Sequence, residues 1–131
     1  MVAVSPEEAI RGRLITIGTT AQDRIYPLRL KQPISNNKFP AIVYQRISAP
    51  RQYTQDGDAK LPEPRIQLKL WCTEYEALEA LAEEVRQALS GWRDDSVGVQ
   101  HCFLMYEMDD WDEQSGLYWK MLDAQVGYKG F

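Results

Sequence analysis

Between Arg65 and Cys72 the apolar residues Ile66, Leu68, Leu70 and Cys72 alternate with Gln67, Lys69 and Trp71. This is the period of two of a strand that turns one face inward. Thr73 follows at once and stands three residues before Glu76, a capping-box spacing that predicts a helix start. Leu78, Leu81, Val85, Ala88 and Leu89 then recur at steps of three and four. They form an apolar stripe, with Glu79, Glu83, Glu84, Arg86 and Gln87 over the remaining surface. Ser90-Gly91 supplies a residue suited to the left-handed conformation after a last helical turn, so the helix is expected to stop there and Trp92 to fold back.

The segments before this unit are less regular. Ser5-Pro6-Glu7-Glu8 reads as a second helix start, with Ser5 as cap and Pro6 where its missing N–H does no harm. The helix is expected to run to about Ile15, with Ala9, Ile10, Leu14 and Ile17 as its apolar residues and Gly12 a weak point. Residues 18–40 carry Gly18, Pro27, Pro33, Asn36, Asn37 and Pro40. That density of breakers predicts connecting chain with at most a short extended piece around Arg24 to Tyr26. Ala41 to Ser48 is rich in sheet-forming residues between two prolines and is predicted to pair with the Arg65 strand. Between them lies the long stretch 49–64, with three prolines and Asp56-Gly57-Asp58. Loops of this length are either solvent loops or functional flaps, and both readings stay open.

Beyond Trp92, a polar turn leads to a predicted strand from Val97 to Met108. Strict alternation puts Val97, Val99, His101, Phe103 and Met105 on one face and Cys102, Leu104 and Tyr106 on the other. Asp109 to Gly116 reads as an acidic hairpin loop and Leu117 to Val126 as the returning strand. The expected fold is a single α+β domain over residues 1–131. It has a four-stranded, mainly antiparallel sheet with an N-terminal helix and a central helix packed on one face, and a long loop between the first two strands. Trp71, outside the core face of its strand, and Tyr118, Trp119 and Lys120 imply that the second face also finds cover, from a neighbouring subunit.

Composition narrows the function by exclusion. At 131 residues, 44% hydrophobic and 26% charged, the chain suits one globular domain. It has no apolar run of the roughly 20 residues that cross a bilayer. The start MVAVSPEEAI carries neither a basic leader nor an apolar signal segment, so the cytoplasm is the expected place of synthesis. A net charge of −4 argues against broad electrostatic adhesion to nucleic acid. The two cysteines, Cys72 and Cys102, are expected to be reduced.

Candidate chemistry is sparse. His101 is the only histidine and sits among apolar neighbours, so it reads as structural rather than as a general base. Cys102, next in sequence, points to the opposite face, which argues against a Cys-His pair or a shared metal. The acidic run Asp109, Asp110, Asp112 and Glu113 fails as a calcium loop, because Ser115 and Met121 fall where an EF-hand needs glycine and a bidentate glutamate. No dinucleotide or phosphate-loop fingerprint is present. No catalytic residue, cofactor or metal site is therefore assigned.

An ordered set of segments carries the reading further. Arg24-Ile25-Tyr26-Pro27, Phe39 to Ser48, Arg65 to Cys72, Thr73-Glu74-Tyr75-Glu76-Ala77 and Ala88-Leu89-Ser90-Gly91-Trp92 together resemble the tail completion, or tail-to-head joining, proteins of tailed phages. The resemblance spans nearly the whole chain and is poorest in the first twenty residues and after Asp109. It implies a structural α+β subunit, not an enzyme, that forms a hexameric ring on the end of the tail tube and meets the tail tube protein and the head–tail connector. It also implies a place in the virion at the head–tail junction, where DNA passes without specific binding. The family offers no catalytic residues to carry over. The position and composition of the long loop single out Arg46, Arg51, Tyr53, Asp58 and Lys60 as candidate interface residues, and Trp71 and Trp119 join them from the sheet. The competing reading is a small prophage-encoded module that binds a host protein through the same loop. An enzyme using His101 with the acidic loop is the weakest of the three.

Overall fold

The computed structural model describes residues 5–30, 38–48, 53–54, 57–58 and 64–128. Helix α1 (Pro6–Ile17) begins as its sequence dictates, with the Ser5 hydroxyl accepting from the Glu8 backbone N–H at 3.1 Å and Pro6 in the first turn. Ala9, Ile10 and Leu14 are buried, whereas Ile17, expected on the same stripe, is half exposed at the helix end. Strands β1 (Ile25–Pro27), β2 (Ala41–Ser48) and β5 (Arg65–Cys72) follow, with a two-stranded ribbon of β3 (Tyr53–Thr54) and β4 (Gly57–Asp58) between the last two. Helix α2 (Tyr75–Leu89) crosses back over the sheet. A 3-10 turn (Asp95–Val97) then leads into the long hairpin of β6 (Val99–Asp112) and β7 (Leu117–Tyr128).

The main sheet has five strands in the order β1-β2-β5-β7-β6, antiparallel throughout except that β1 runs parallel to β2. The expected four-stranded sheet thus gains an edge strand from the breaker-rich segment. Three residues suffice because Arg24 O accepts from Ile42 N and Leu28 N donates to Tyr44 O, both at 2.9 Å. The Pro27 nitrogen, one residue from Leu28, points away from β2, so no sheet bond is lost to it. Ile25 closes the core at this edge and is 1% exposed.

One face of the sheet is the core. Ile66, Leu68, Leu70 and Cys72 alternate inward as their spacing requires, and Ile42, Leu122, Ala124 and Val126 extend the same surface. Leu78, Leu81, Ala82, Val85, Ala88 and Leu89 of α2 lie over it. At about 25 cal/mol per Å² of apolar surface removed from water, this layer is the main stabilising term of the fold. The end of α2 also follows its sequence: Gly91 has φ +75°, and its N–H donates to Cys102 O at 2.9 Å. Trp92 folds back, 7% exposed, with the Arg13 guanidinium 5.5 Å from its ring centroid.

Three expectations are corrected. Helix α2 starts one residue late: Glu74 is the cap without a side-chain hydrogen bond, and Leu78 N bonds to Glu74 O. Thr73 therefore stands outside the helix, one residue too far for the capping box to form. Strand β6 runs on to Asp112, leaving only residues 113–116 as the hairpin turn, with Gly116 at φ +73°. Register shifts between Val99 and His101 and between Leu104 and Tyr106 break strict alternation. A bulge inserts an unpaired residue and switches the faces beyond it. Val99, Cys102, Leu104, Glu107, Asp109 and Trp111 consequently share the helix side, while Phe103, Tyr106 and Met108 lie on the other.

Candidate assembly surfaces

Among the described residues no helix lies on the second face of the sheet, where Leu28, Arg29 and Leu30 line a pocket with Val43, Gln67, Lys69 and Trp71. Cross-strand register brings Trp71 beside Trp119 and Lys69 beside Met121 and Val43. The Lys69 ammonium sits 4.7 Å from the Trp71 ring centroid and 4.2 Å from that of Trp119. One cation between two indoles holds both rings in place at a surface, the arrangement in which cation–π attraction and large rigid side chains favour a protein partner. Of the residues expected to cover this face, only Trp71 and Trp119 do so. Tyr118 and Lys120 face α2, because even-numbered β7 residues are paired with the inward residues of β5.

Asp123, paired in register with Gln67 and Tyr106, is buried on the helix-free side. Its Oδ2 accepts from Arg65, while its Oδ1 has no hydrogen-bond partner among the described residues. A buried unsatisfied carboxylate oxygen is costly. Nearby, the His101 imidazole stacks on Phe103 with centroids 5.0 Å apart. A Cβ at Gly127 would lie 2.2 Å from that ring, so glycine there makes room for a packed histidine.

Among the described residues strand β6 is an unpaired end strand of the sheet. Phe103, Met105, Tyr106, Met108 and Trp111 are 41–59% exposed along it. A long edge strand with exposed apolar side chains is a template for a partner unless it is blunted. Its bulges and its acids do part of that blunting.

On the helix side of the hairpin the acids are gathered around one lysine. Lys120, 7% exposed in its side chain, lies 2.6 Å from Glu79, 3.3 Å from Glu107 and 3.6 Å from Asp109. Burial works against its charge, but Glu79 and Glu107 outweigh that and hold the ammonium above its ordinary range. The Tyr75 hydroxyl donates to Asp109 at 2.7 Å. That bond first, and the Lys120 charge after it, keep Asp109 below the usual carboxylate range. Glu79 is lowered chiefly by its hydrogen bond from Lys120. Arg86 reaches both Glu83 and Glu107. This network fixes the hairpin to α2.

The remaining candidates separate. Arg46 is committed to α1 on the helix side, its Nη2 2.6 Å and its Nε 3.1 Å from Glu7. Tyr53 and Asp58 are paired with each other in the β3–β4 ribbon. Arg51 and Lys60 lie outside the described residues. Both cysteines are free and buried, and burial pushes the Cys72 thiol up to about 11 and the Cys102 thiol to about 12, so neither is a ready nucleophile. Among the described residues no group of three or more His, Cys, Asp or Glu is arranged to hold a metal ion, and no helix is long and apolar enough to cross a membrane.

Among the described residues the helices pack on one face of the sheet, and the other carries half-buried aromatics. The family model "Tail completion protein gp17" matches residues 8–129, and the chain belongs to that family. It is thereby a phage tail structural protein. A chain in a solved structure described as the virion of a native gene transfer agent particle shares the fold, with a TM-score of 0.74, 11% identity and 96% of each chain covered. No curated protein matches the chain.

Proposed function

We propose that this protein caps the tail tube and joins tail to head as the subunit of a hexameric ring in the virion. Its partners in this reading are further copies of itself, the tail tube protein and the head–tail connector, with DNA passing through unbound. The family match over residues 8–129 carries the proposal. The helix-free face with Trp71 and Trp119 and the unpartnered β6 edge support it as surfaces that a ring would cover. Synthesis in the host cytoplasm and incorporation at the head–tail junction belong to the same reading, which assigns no enzyme activity.

Deleting the gene from its phage or prophage tests it. Negative-stain electron microscopy of the induced lysate is expected to show DNA-filled heads beside unattached tails, some of uncontrolled length. Normal joined virions would contradict the proposal.

A further inference from the structure

The two free edges of the sheet carry opposite charge. Around β1 the described residues Arg24, Arg29 and Lys38 are basic, with Asp23 the one acid beside them on its own segment. Residues 107–119, at the β6 end of the hairpin, contain Glu107, Asp109, Asp110, Asp112 and Glu113 and no Lys or Arg. Glu107 and Asp109 are offset by Arg86 and Lys120. Asp110 and Glu113 at one edge, and Arg29 and Lys38 at the other, have no ion-pair partner among the described residues.

The edges are also level. One row of paired residues runs across the whole sheet from Ile25 through Ile42, Leu70 and Lys120 to Asp109. The next runs from Tyr26 through Val43, Lys69 and Met121 to Met108. The strand directions make β6 antiparallel to β1. A second copy set beside the first without inversion would therefore present its β1 to β6 at matching height and in antiparallel sense. Pairing two β6 edges would instead put acid against acid, which is destabilising.

We infer that copies of this chain associate head to tail, with β6 of one docking along the β1 edge of the next. The exposed Trp111 lies on the helix side of β6. There it meets the cleft of about 800 Å³ on the helix side of β1, whose walls carry Arg11, Arg24 and Lys38 against Glu8 and Asp23. An indole among guanidinium groups gains cation–π attraction as well as burial. Such a contact is heterologous and closes into a ring when its rotation permits. The inference rests on the ring proposed above and names the surfaces that form it.

The test uses two charge-reversed variants of exposed residues in the full chain. One carries Asp110→Lys with Glu113→Lys, the other Lys38→Glu in the cleft beside β1, and circular dichroism checks that both fold. Sedimentation at low ionic strength is expected to show concentration-dependent association of the wild-type protein that weakens with added salt. Each variant alone should associate about tenfold or more weakly. An equimolar mixture should recover association, because each mismatched edge then finds an opposite charge on the other variant. A mixture no heavier than the separate variants, or variants that associate like wild type, would overturn the inference. The outcome is independent of the gene deletion: normal virions there would remove the tail reading and leave the edge contact to this measurement.

Discussion

The two faces of one sheet have opposite characters. Toward the helices, Ile66, Leu68, Leu70 and Leu122 are at most 1% exposed and interlock with α2. On the other side of the same strands stand Lys69, Trp71, Trp119 and Met121, half-buried and with no helix over them among the described residues. The first face makes the chain fold. The second has large rings organised by a cation but contributes little to the core. In the proposed assembly the difference separates residues whose loss unfolds the protein from residues whose loss is expected to leave a folded subunit unable to assemble.

The sharpest way to break that division is to cut into the core. Leu68→Ala is expected to cost about 2–5 kcal/mol, read as a lower urea midpoint at unchanged slope. A loss below about 1 kcal/mol would show that the helix-covered face does not dominate stability. Next in size is Lys120→Met, which leaves Glu79, Glu107 and Asp109 without their shared cation and is expected to cost about 2 kcal/mol. Glu79 and Asp109 are held below their ordinary values. Their stabilising contribution is therefore present above the unfolded-state values of about 4.3 and 3.9. It is lost as pH falls through the lower folded values. Urea midpoints should decline on acidification below about pH 4, and the decline should be shallower in Lys120→Met.

Smaller effects separate the faces further. A double-mutant cycle between Lys69→Met and Trp71→Leu is expected to return a coupling of about 0.5–1 kcal/mol, while either variant fails to support tail joining in a complementation assay. A fully joining Trp71→Leu variant would mean that the helix-free face is not an assembly surface. Arg46→Ala, which removes only the exposed pair with Glu7, should change stability by less than about 1 kcal/mol. Joining should be unaffected if Arg46 serves α1 and not a neighbour.

Much of the fold was legible because periodicity reports burial directly. The alternation in β5, the stripe of α2, the Ser5 cap and the turn at Gly91 each rest on a local rule that the structure obeys. What escaped depends on register. β1 is too short to show a period, and its Pro27 suggests connecting chain until β2 is seen to supply the bonds. The bulges in β6 break the alternation without marking the sequence, so Phe103 and Val99 seem to share a face when they do not. Trp71 could be identified as an outward aromatic on its own strand. The indole–ammonium–indole stack could not, because it needs β5 and β7 aligned to the residue. Lys120 was misplaced for the same reason, since its side of the sheet is set by its pairing with Leu70.

Hydroxyl-radical footprinting of the tryptophans, on the free protein and on purified tail-bearing particles, tests directly whether the helix-free face and the β6 edge are covered in the assembly. Oxidation of Trp71, Trp119 and Trp111 is expected to fall on incorporation, while Trp92, already folded into the core, stays protected in both states. Equal labelling of Trp71, Trp119 and Trp111 in the free and assembled protein would contradict that claim.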